Sequence, residues 1–249
     1  MRTVFVRDFD HWRSLARRLI ASQTIPGMVN FRSAGARQAE FWDAAEADPS
    51  SPAAEVGSAR AFAVPQKFLD YARFAACHRD GDSWNLLYHL LWRLTHGERR
   101  LLDDAADDDV RRLERMAKAV SRDGHKMKAF VRFRRIETDE GERYVAWHRP
   151  DHRVLGIVAP FFARRFTDMH WTIMTPQESA TWDGRRLALG PGVPASEAPG
   201  ADALDDLWRT YYRSIFNPAR IKLQAMRREM PVRYWATLPE TEILPEMLA

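Results

Sequence analysis

The spacing of apolar residues changes along the chain and marks out alternating helices and strands. Helical spacing predicts helices at residues 9–22, 65–77, 83–95, 110–124, 151–165, 202–216 and 218–230. Period-two stretches predict strands at residues 3–7, 28–31, 128–136, 143–148, 170–175, 180–182 and 186–189. One helix is expected to end at Gly124, and another to be kinked or broken at Pro160.

The order of these elements predicts an α+β fold. Residues 1–43 form a small β-α-β segment, and residues 44–60, rich in Ala, Ser, Pro and acids, form a flexible linker. Residues 61–249 form the main domain. There, hairpins build an antiparallel sheet of about four or five strands, which several helices cover.

Composition narrows the class of protein. With 45% hydrophobic residues, including 9 Trp and 13 Phe, the chain can bury a core. Its one cysteine, Cys77, excludes an internal disulfide and any multi-cysteine metal site built from this chain alone. No membrane span or signal peptide is visible, so a cytoplasmic location is expected. No cofactor is predicted, because phosphate-binding and dinucleotide glycine motifs are missing from the sequence.

Positive charge is concentrated in one stretch. The formal net charge is +4 and the sequence pI is about 9.4, which indicates an anionic partner. Residues 111–135 contain ten basic residues against two acids. This stretch includes the predicted strand at residues 128–136, so the strand becomes the first candidate surface.

Alternation in that strand places one ring and three cations on one face: Lys128, Phe130, Arg132 and Arg134. Single-stranded nucleic acid binds such surfaces, with rings stacking on bases and cations contacting phosphates. Alternatively, Phe130 packs under the next helix and the arginines only solubilise the strand. His125 and Lys126 lie beside the predicted helix end, where they contact phosphate or cap the helix.

The predicted last helix has a second cationic face. Asn217 is a good N-cap, and the face opposite the Met-rich stripe carries Arg220, Arg227 and Arg228. Upstream residues extend the predicted nucleic-acid-binding set: Arg209, Tyr212 and Arg213. Because few acids neighbour these arginines, they face phosphate, carboxylates elsewhere in the fold, or water.

Acid–base chemistry has weaker candidates, namely His148, Asp151, His152 and Asp183. His148 and His152 have a spacing that suits a metal, but Pro150 between them argues against one unbroken helix. No metal site is therefore predicted, and the catalytic residues stay unassigned.

Long segments of the chain carry a family resemblance. They include CHRDGDSWNLLYHLLWRLTHGERRLL, HKMKAFVRFR, YVAWHRPDH, APFFARRF, WTIMTPQESATWDG and LWRTYYRSIFNPARIKLQAMRREMPVRYWATLPE. Between about Val64 and Glu240 the chain resembles a bacterial family of unknown function described as "probable DNA metabolism protein". Members stand alone or precede a uracil-DNA glycosylase-like domain, and are encoded near a radical-SAM protein associated with DNA modification or repair. The resemblance implies a DNA-repair context and supplies no catalytic residues.

Three functional hypotheses follow. The first is a nucleic-acid-binding accessory protein in DNA repair or DNA metabolism, which binds single-stranded or damaged DNA and acts with a uracil-DNA glycosylase-like or radical-SAM partner. The second is an enzyme acting on DNA or nucleotides through an unidentified acid–base site. The third is an adaptor that recruits those protein partners.

Overall fold

The computed structural model describes residues 1–33, 62–138, 141–197 and 227–243. The chain folds as two compact units: unit 1, Met1–Ser121, and unit 2, Arg122–Ala249. The predicted linker at residues 44–60 lies outside the described residues, so a division of the chain at that linker stays a prediction.

Unit 1 confirms the predicted β-α-β start. Its elements are β1 (Arg2–Val6), α1 (Phe9–Ala21), β2 (Val29–Ser33), α2 (Gln66–Ala75), α3 (Ser83–Thr95) and the first part of α4 (Asp108–Phe130). Strands β1 and β2 pair in parallel, and Asn85 holds β2 because its Oδ1 accepts a hydrogen bond from the Phe31 amide at 2.7 Å. Buried Trp12, Phe68 and Leu87 belong to one core that joins the sheet and the helices.

Unit 2 contains the predicted sheet. Its remaining elements are β3 (Arg134–Thr138), β4 (Gly141–Trp147), α5 (Leu155–Arg165), β5 (Trp171–Met174), β6 (Glu178–Trp182) and β7 (Leu187–Pro191). The five strands follow the order β3-β4-β5-β6-β7, and all neighbours are antiparallel except β4 and β5. That parallel pair is joined through α5, as a crossover requires. The predicted α+β class is confirmed.

The predicted helix end at Gly124 and the predicted strand at residues 128–136 are wrong. Helix α4 continues to Phe130, and the strand begins only at Arg134. The buried positions Val120, Asp123, Gly124, Met127 and Val131 recur every three or four residues, which is a helical pattern. Gly124 is a packing position, because a Cβ there would lie 3.2 Å from Cγ2 of Val158.

The helix predicted at residues 151–165 begins only at Leu155 and continues unbroken through Pro160. Glu178 on β6 supplies its cap, since Oε1 accepts hydrogen bonds from the amides of Leu155 and Gly156 at 2.9 and 3.4 Å. Pro160 lies so close to the helix start that it removes one early backbone hydrogen bond. Within the described ranges, no helix has both the length and the apolar character needed to cross a membrane.

The two helices predicted near the end of the chain lie mostly outside the described residues. Residues 227–229 are helical, and two 3-10 segments, Val232–Thr237 and Pro239–Ile243, follow them. Met230, Tyr234 and Leu238 are buried together, and Phe130 at the end of α4 packs against this group.

Candidate nucleic-acid interface

The ends of α4 and α5 and the strand β4 line an open cavity of about 390 Å³ in unit 2, called here the aromatic cavity. Its aromatic lining comes from Phe133, Tyr144, Phe161, Phe162 and Phe166. Phe133 and Phe162 are buried, whereas the other three rings are only partly covered. A flat apolar ligand therefore has ring surface available in the cavity.

Three cations line the same cavity: Lys128, Arg132 and Arg165. Lys128 Nζ lies 5.1 Å from the centre of the Phe161 ring, and the Arg165 guanidinium lies 5.4 Å from that of Phe166. These are cation–π distances. Lys128 and Arg165 are exposed, and neither forms an ion pair with a residue that the structure describes. The lining residues include no acid in the described part of the chain.

Arg132 is fixed at the cavity by the end of α4. Its Nη1 donates hydrogen bonds to the carbonyl oxygens of Ala129 and Val131, at 2.8 and 3.3 Å. The last carbonyls of a helix carry partial negative charge, so a guanidinium is favourable there. Arg132 thus contributes positive charge from a held position, while Lys128 and Arg165 are the more exposed cations.

The predicted strand platform is not present. Lys128 and Arg132 do line one cavity, but they lie at and just after a helix end. Phe130 points elsewhere and packs on Tyr234 with ring centres 5.6 Å apart. Arg134 lies on β3. His125 is exposed and Lys126 half-buried on α4, and neither lines the cavity.

The second predicted surface is only partly described. Arg209, Tyr212, Arg213 and Arg220 lie outside the described residues. Arg227 and Arg228 are exposed, and Arg228 Nε lies 3.0 Å from Oε1 of Glu229. The role predicted for these arginines stays a prediction.

Three of the four acid–base candidates meet in one group in unit 2, called here the polar cluster. Its members are Asp123, His148, Asp151, His152, Arg233 and Tyr234. The Tyr234 hydroxyl donates to Asp123 Oδ1 at 3.2 Å and accepts from Arg233 Nη2 at 2.8 Å. The His152 amide donates to Asp123 Oδ2 at 2.8 Å. Arg233 also forms an ion pair with Asp151 at 2.5 Å.

The imidazole of His148 lies inside the polar cluster without a hydrogen bond to the described residues. Its exposed fraction is 0%, its ring stacks on Tyr234 at 4.8 Å, and neither ring nitrogen has a partner in the described structure. Burial, together with the charges of Arg233 and Arg132, lowers the pKa of His148 to about 4. Burial also raises the pKa of Tyr234 to about 12. Both side chains are therefore neutral near pH 7.

Asp183, the fourth candidate, has a local structural role. It lies in the turn between β6 and β7, where Oδ1 accepts hydrogen bonds from the amides of Arg185 and Arg186 at 2.8 and 2.7 Å. These bonds lower the pKa of the Asp183 carboxyl. Gly184 follows with φ of 85°, which a glycine adopts at little cost.

A family model for a domain of unknown function, DUF4130, matches residues 81–240, which is more than half of the chain. The chain belongs to this family. The matched range of the DUF4130 domain contains both the aromatic cavity and the polar cluster. No curated protein and no solved structure gives a significant match.

Sequence reasoning missed several residues of both sites. In the DUF4130 domain, the segment APFFARRF supplies Phe161, Arg165 and Phe166 to the cavity. Its mixture of rings and arginines at a helix end was the available signal. Asp123 was counted only as an acid in a basic stretch, although its helical spacing from Val120 and Met127 places it on the buried face of α4.

Proposed function

We propose that this chain binds nucleic acid at the aromatic cavity of unit 2. The observation that supports the proposal is the combination of cations and partly exposed rings in one cavity. Phosphates bind cations, and unpaired bases stack on aromatic rings.

The contacts that the cations already make strengthen this proposal. Lys128 and Arg165 lie over rings and not beside carboxylates, so an incoming phosphate displaces no internal ion pair that the structure describes. Arg132 adds a third charge that its bonds to the α4 carbonyls hold in place. A phosphate that binds Lys128 and Arg165 therefore gains their attraction without the cost of breaking an ion pair that the structure describes.

The biological context of the proposal comes from the resemblance to probable DNA metabolism proteins. On that basis we place the binding activity in DNA metabolism or repair, as an accessory to a uracil-DNA glycosylase-like or radical-SAM partner. The single-stranded or damaged DNA predicted as the ligand suits a cavity lined by rings.

The test exchanges the two exposed cations for acids. The variant Lys128→Glu/Arg165→Glu is compared with Arg122→Glu/Arg164→Glu, which makes the same kind of charge reversal on the same two helices at exposed residues outside the cavity lining. Fluorescence anisotropy measures the binding of a labelled single strand at several salt concentrations. We expect the cavity variant to bind at least about tenfold more weakly, because it loses two phosphate contacts and adds repulsion.

The salt dependence gives a second readout. Each lost phosphate contact lowers the logarithmic salt slope for a single strand by roughly 0.7. The control variant keeps the slope of the unmodified protein. Equal loss of affinity in both variants would mean that binding depends on the overall charge of the protein and not on the cavity. Unchanged affinity in a folded cavity variant would also overturn the proposal.

One observation favours an enzymatic function: the polar cluster gathers His148, Asp151 and His152. A general acid or base must reach its substrate. His148 is fully buried, and none of the described cavities is lined by it. We therefore assign His148 a structural role, and the enzyme and adaptor hypotheses stay predictions.

A further inference from the structure

The geometry points to a finer property of the aromatic cavity: it takes one unpaired base of a single strand by stacking, without reading which base it is. This inference rests on the proposed function and names the ligand class of the same site. It comes from the arrangement of the rings and from the kinds of polar group that line the cavity.

The walls of the cavity are preformed. Buried Phe133 contacts the rings of Phe162 and Phe166 edge to face, with centres 5.9 and 5.6 Å apart. Phe161 meets Phe162 in the same way at 5.3 Å. These contacts hold the partly exposed rings in place, so little side-chain freedom is lost when a ligand stacks on them.

A base inside a duplex cannot use such walls. Both of its faces are covered by neighbouring base pairs, and its exposure requires unstacking and unpairing that cost a few kcal/mol. A single strand offers its bases without that cost. The recessed rings of the cavity therefore favour single strands, and the cations beside them contact the adjoining phosphates.

The cavity offers little that distinguishes one base from another. Asn or Gln reads adenine and Asp or Glu reads cytosine, whereas an Arg or Lys that reads guanine must point its donors at the base edge. In the cavity, Lys128 and Arg165 lie over rings and Arg132 donates to backbone carbonyls. Of the lining residues that the structure describes, the polar side chains are the three cations and Tyr144. The Tyr144 hydroxyl already donates to Oε2 of Glu142 at 3.3 Å. Stacking strength and strand flexibility then give only modest preferences among bases.

The experiment compares strands that carry the same phosphates. Single strands of about 12 nucleotides, within the site sizes known for stacking proteins, are made as dA and dT homopolymers, as an abasic-analogue strand and as a duplex. Anisotropy at fixed salt gives each affinity. We expect dA and dT to bind within about tenfold of each other, and the abasic strand to bind roughly 5- to 100-fold more weakly than either, from the loss of stacking.

A matched pair of variants locates the stacking ring. Phe161→Leu keeps an apolar side chain but removes a ring of the cavity, whereas Phe130→Leu makes the same change in the separate cluster around Tyr234. We expect Phe161→Leu to reduce the difference between the dA and abasic strands while the salt slope stays the same. Phe130→Leu is expected to keep that difference.

The outcomes separate this inference from the proposed function. Salt-sensitive binding that is equal for dA and abasic strands would overturn the stacking inference and leave nucleic-acid binding at the cavity intact. Duplex binding as tight as single-strand binding, or one homopolymer favoured by more than about tenfold, would overturn it as well. No binding of any strand at low salt would overturn both.

Discussion

Two groups of cationic side chains, one in each unit, have different partners. In unit 1, Arg93 reaches three carboxylates, those of Glu98 and Asp107 at 2.7 Å and that of Asp109 at 3.3 Å. Arg112 likewise pairs with Asp80 and Asp82. In unit 2, Lys128 and Arg165 lie over aromatic rings. The first group stabilises the fold of unit 1, and the second remains available to an anion.

The difference teaches that a basic stretch is not one surface. Arg112 and Lys128 belong to the same run of ten basic residues. Of these two, Arg112 pairs with carboxylates in the described structure, whereas Lys128 lies over a ring. Their partners come from other parts of the fold, which the local sequence does not specify. The neighbours of a cation decide whether it supports the fold or binds a ligand.

The largest expected effect is the loss of stability of unit 2 at low pH, which depends on His148. Its pKa is about 4 in the fold, against an ordinary value of 6.5, so unit 2 is fully stabilised above pH 6.5 and loses stability as pH falls towards 4. The whole shift corresponds to about 3 kcal/mol. Hydrogen exchange of α5 and β5 amides at pH 7 and pH 5 measures the loss, after correction for intrinsic exchange.

The variant His148→Phe serves as the control for that effect. Phenylalanine keeps a ring against Tyr234 and needs no hydrogen bond, so unit 2 of the variant should lose much less stability between pH 7 and pH 5. An unchanged loss in this variant would show that another group causes the pH dependence.

The next largest expected effect is the loss of stability when a paired cation of unit 1 is replaced. Arg93→Gln leaves Asp107 and Glu98 without their charged donor, and we expect the free energy of unfolding to fall by about 2 kcal/mol. Denaturant unfolding followed by tryptophan fluorescence measures it. The more exposed Arg112→Gln should cost less than about 1 kcal/mol. Equal costs would contradict the greater importance assigned to Arg93.

Arg93 also makes unit 1 lose stability over a different pH range from unit 2. Its hydrogen bonds hold the pKa of Asp107 and of Glu98 below their ordinary values. Their contribution is present above those ordinary values and is lost as pH falls through the lower pKa of the folded state. Unit 2 should therefore lose stability at milder acidity than unit 1, which hydrogen exchange of α3 and α5 amides can compare.

The smallest expected effect is on the stability of the cavity variants. Lys128→Gln/Arg165→Gln removes two exposed cation–π contacts, so the free energy of unfolding should fall by only about 1 kcal/mol while single-strand affinity falls clearly. Thermal unfolding and anisotropy on the same preparation measure both. A larger loss of stability than of affinity would mean that these cations are structural, as in unit 1.

Sequence periodicity was most successful where contacts are local or where a sheet has one buried face. It placed α3 at Ser83–Thr95 and the turn at Asp183 and Gly184 correctly, and it anticipated the five-stranded sheet. It failed at Gly124, which it took as a helix end. Whether a glycine ends a helix or permits close packing depends on the neighbour, here Val158, and that neighbour is distant in sequence.

By itself, the sequence determined the α+β class, the apolar positions at helical spacing and the strong positive charge of residues 111–135. Only the tertiary structure decided that Lys128 and Arg165, from different helices, share one cavity with Tyr144, and that His148 is buried against Tyr234. Periodicity shows which face of each helix or strand is buried, one element at a time. A site assembled from several elements depends on how their side chains pack, which no single stretch of sequence contains.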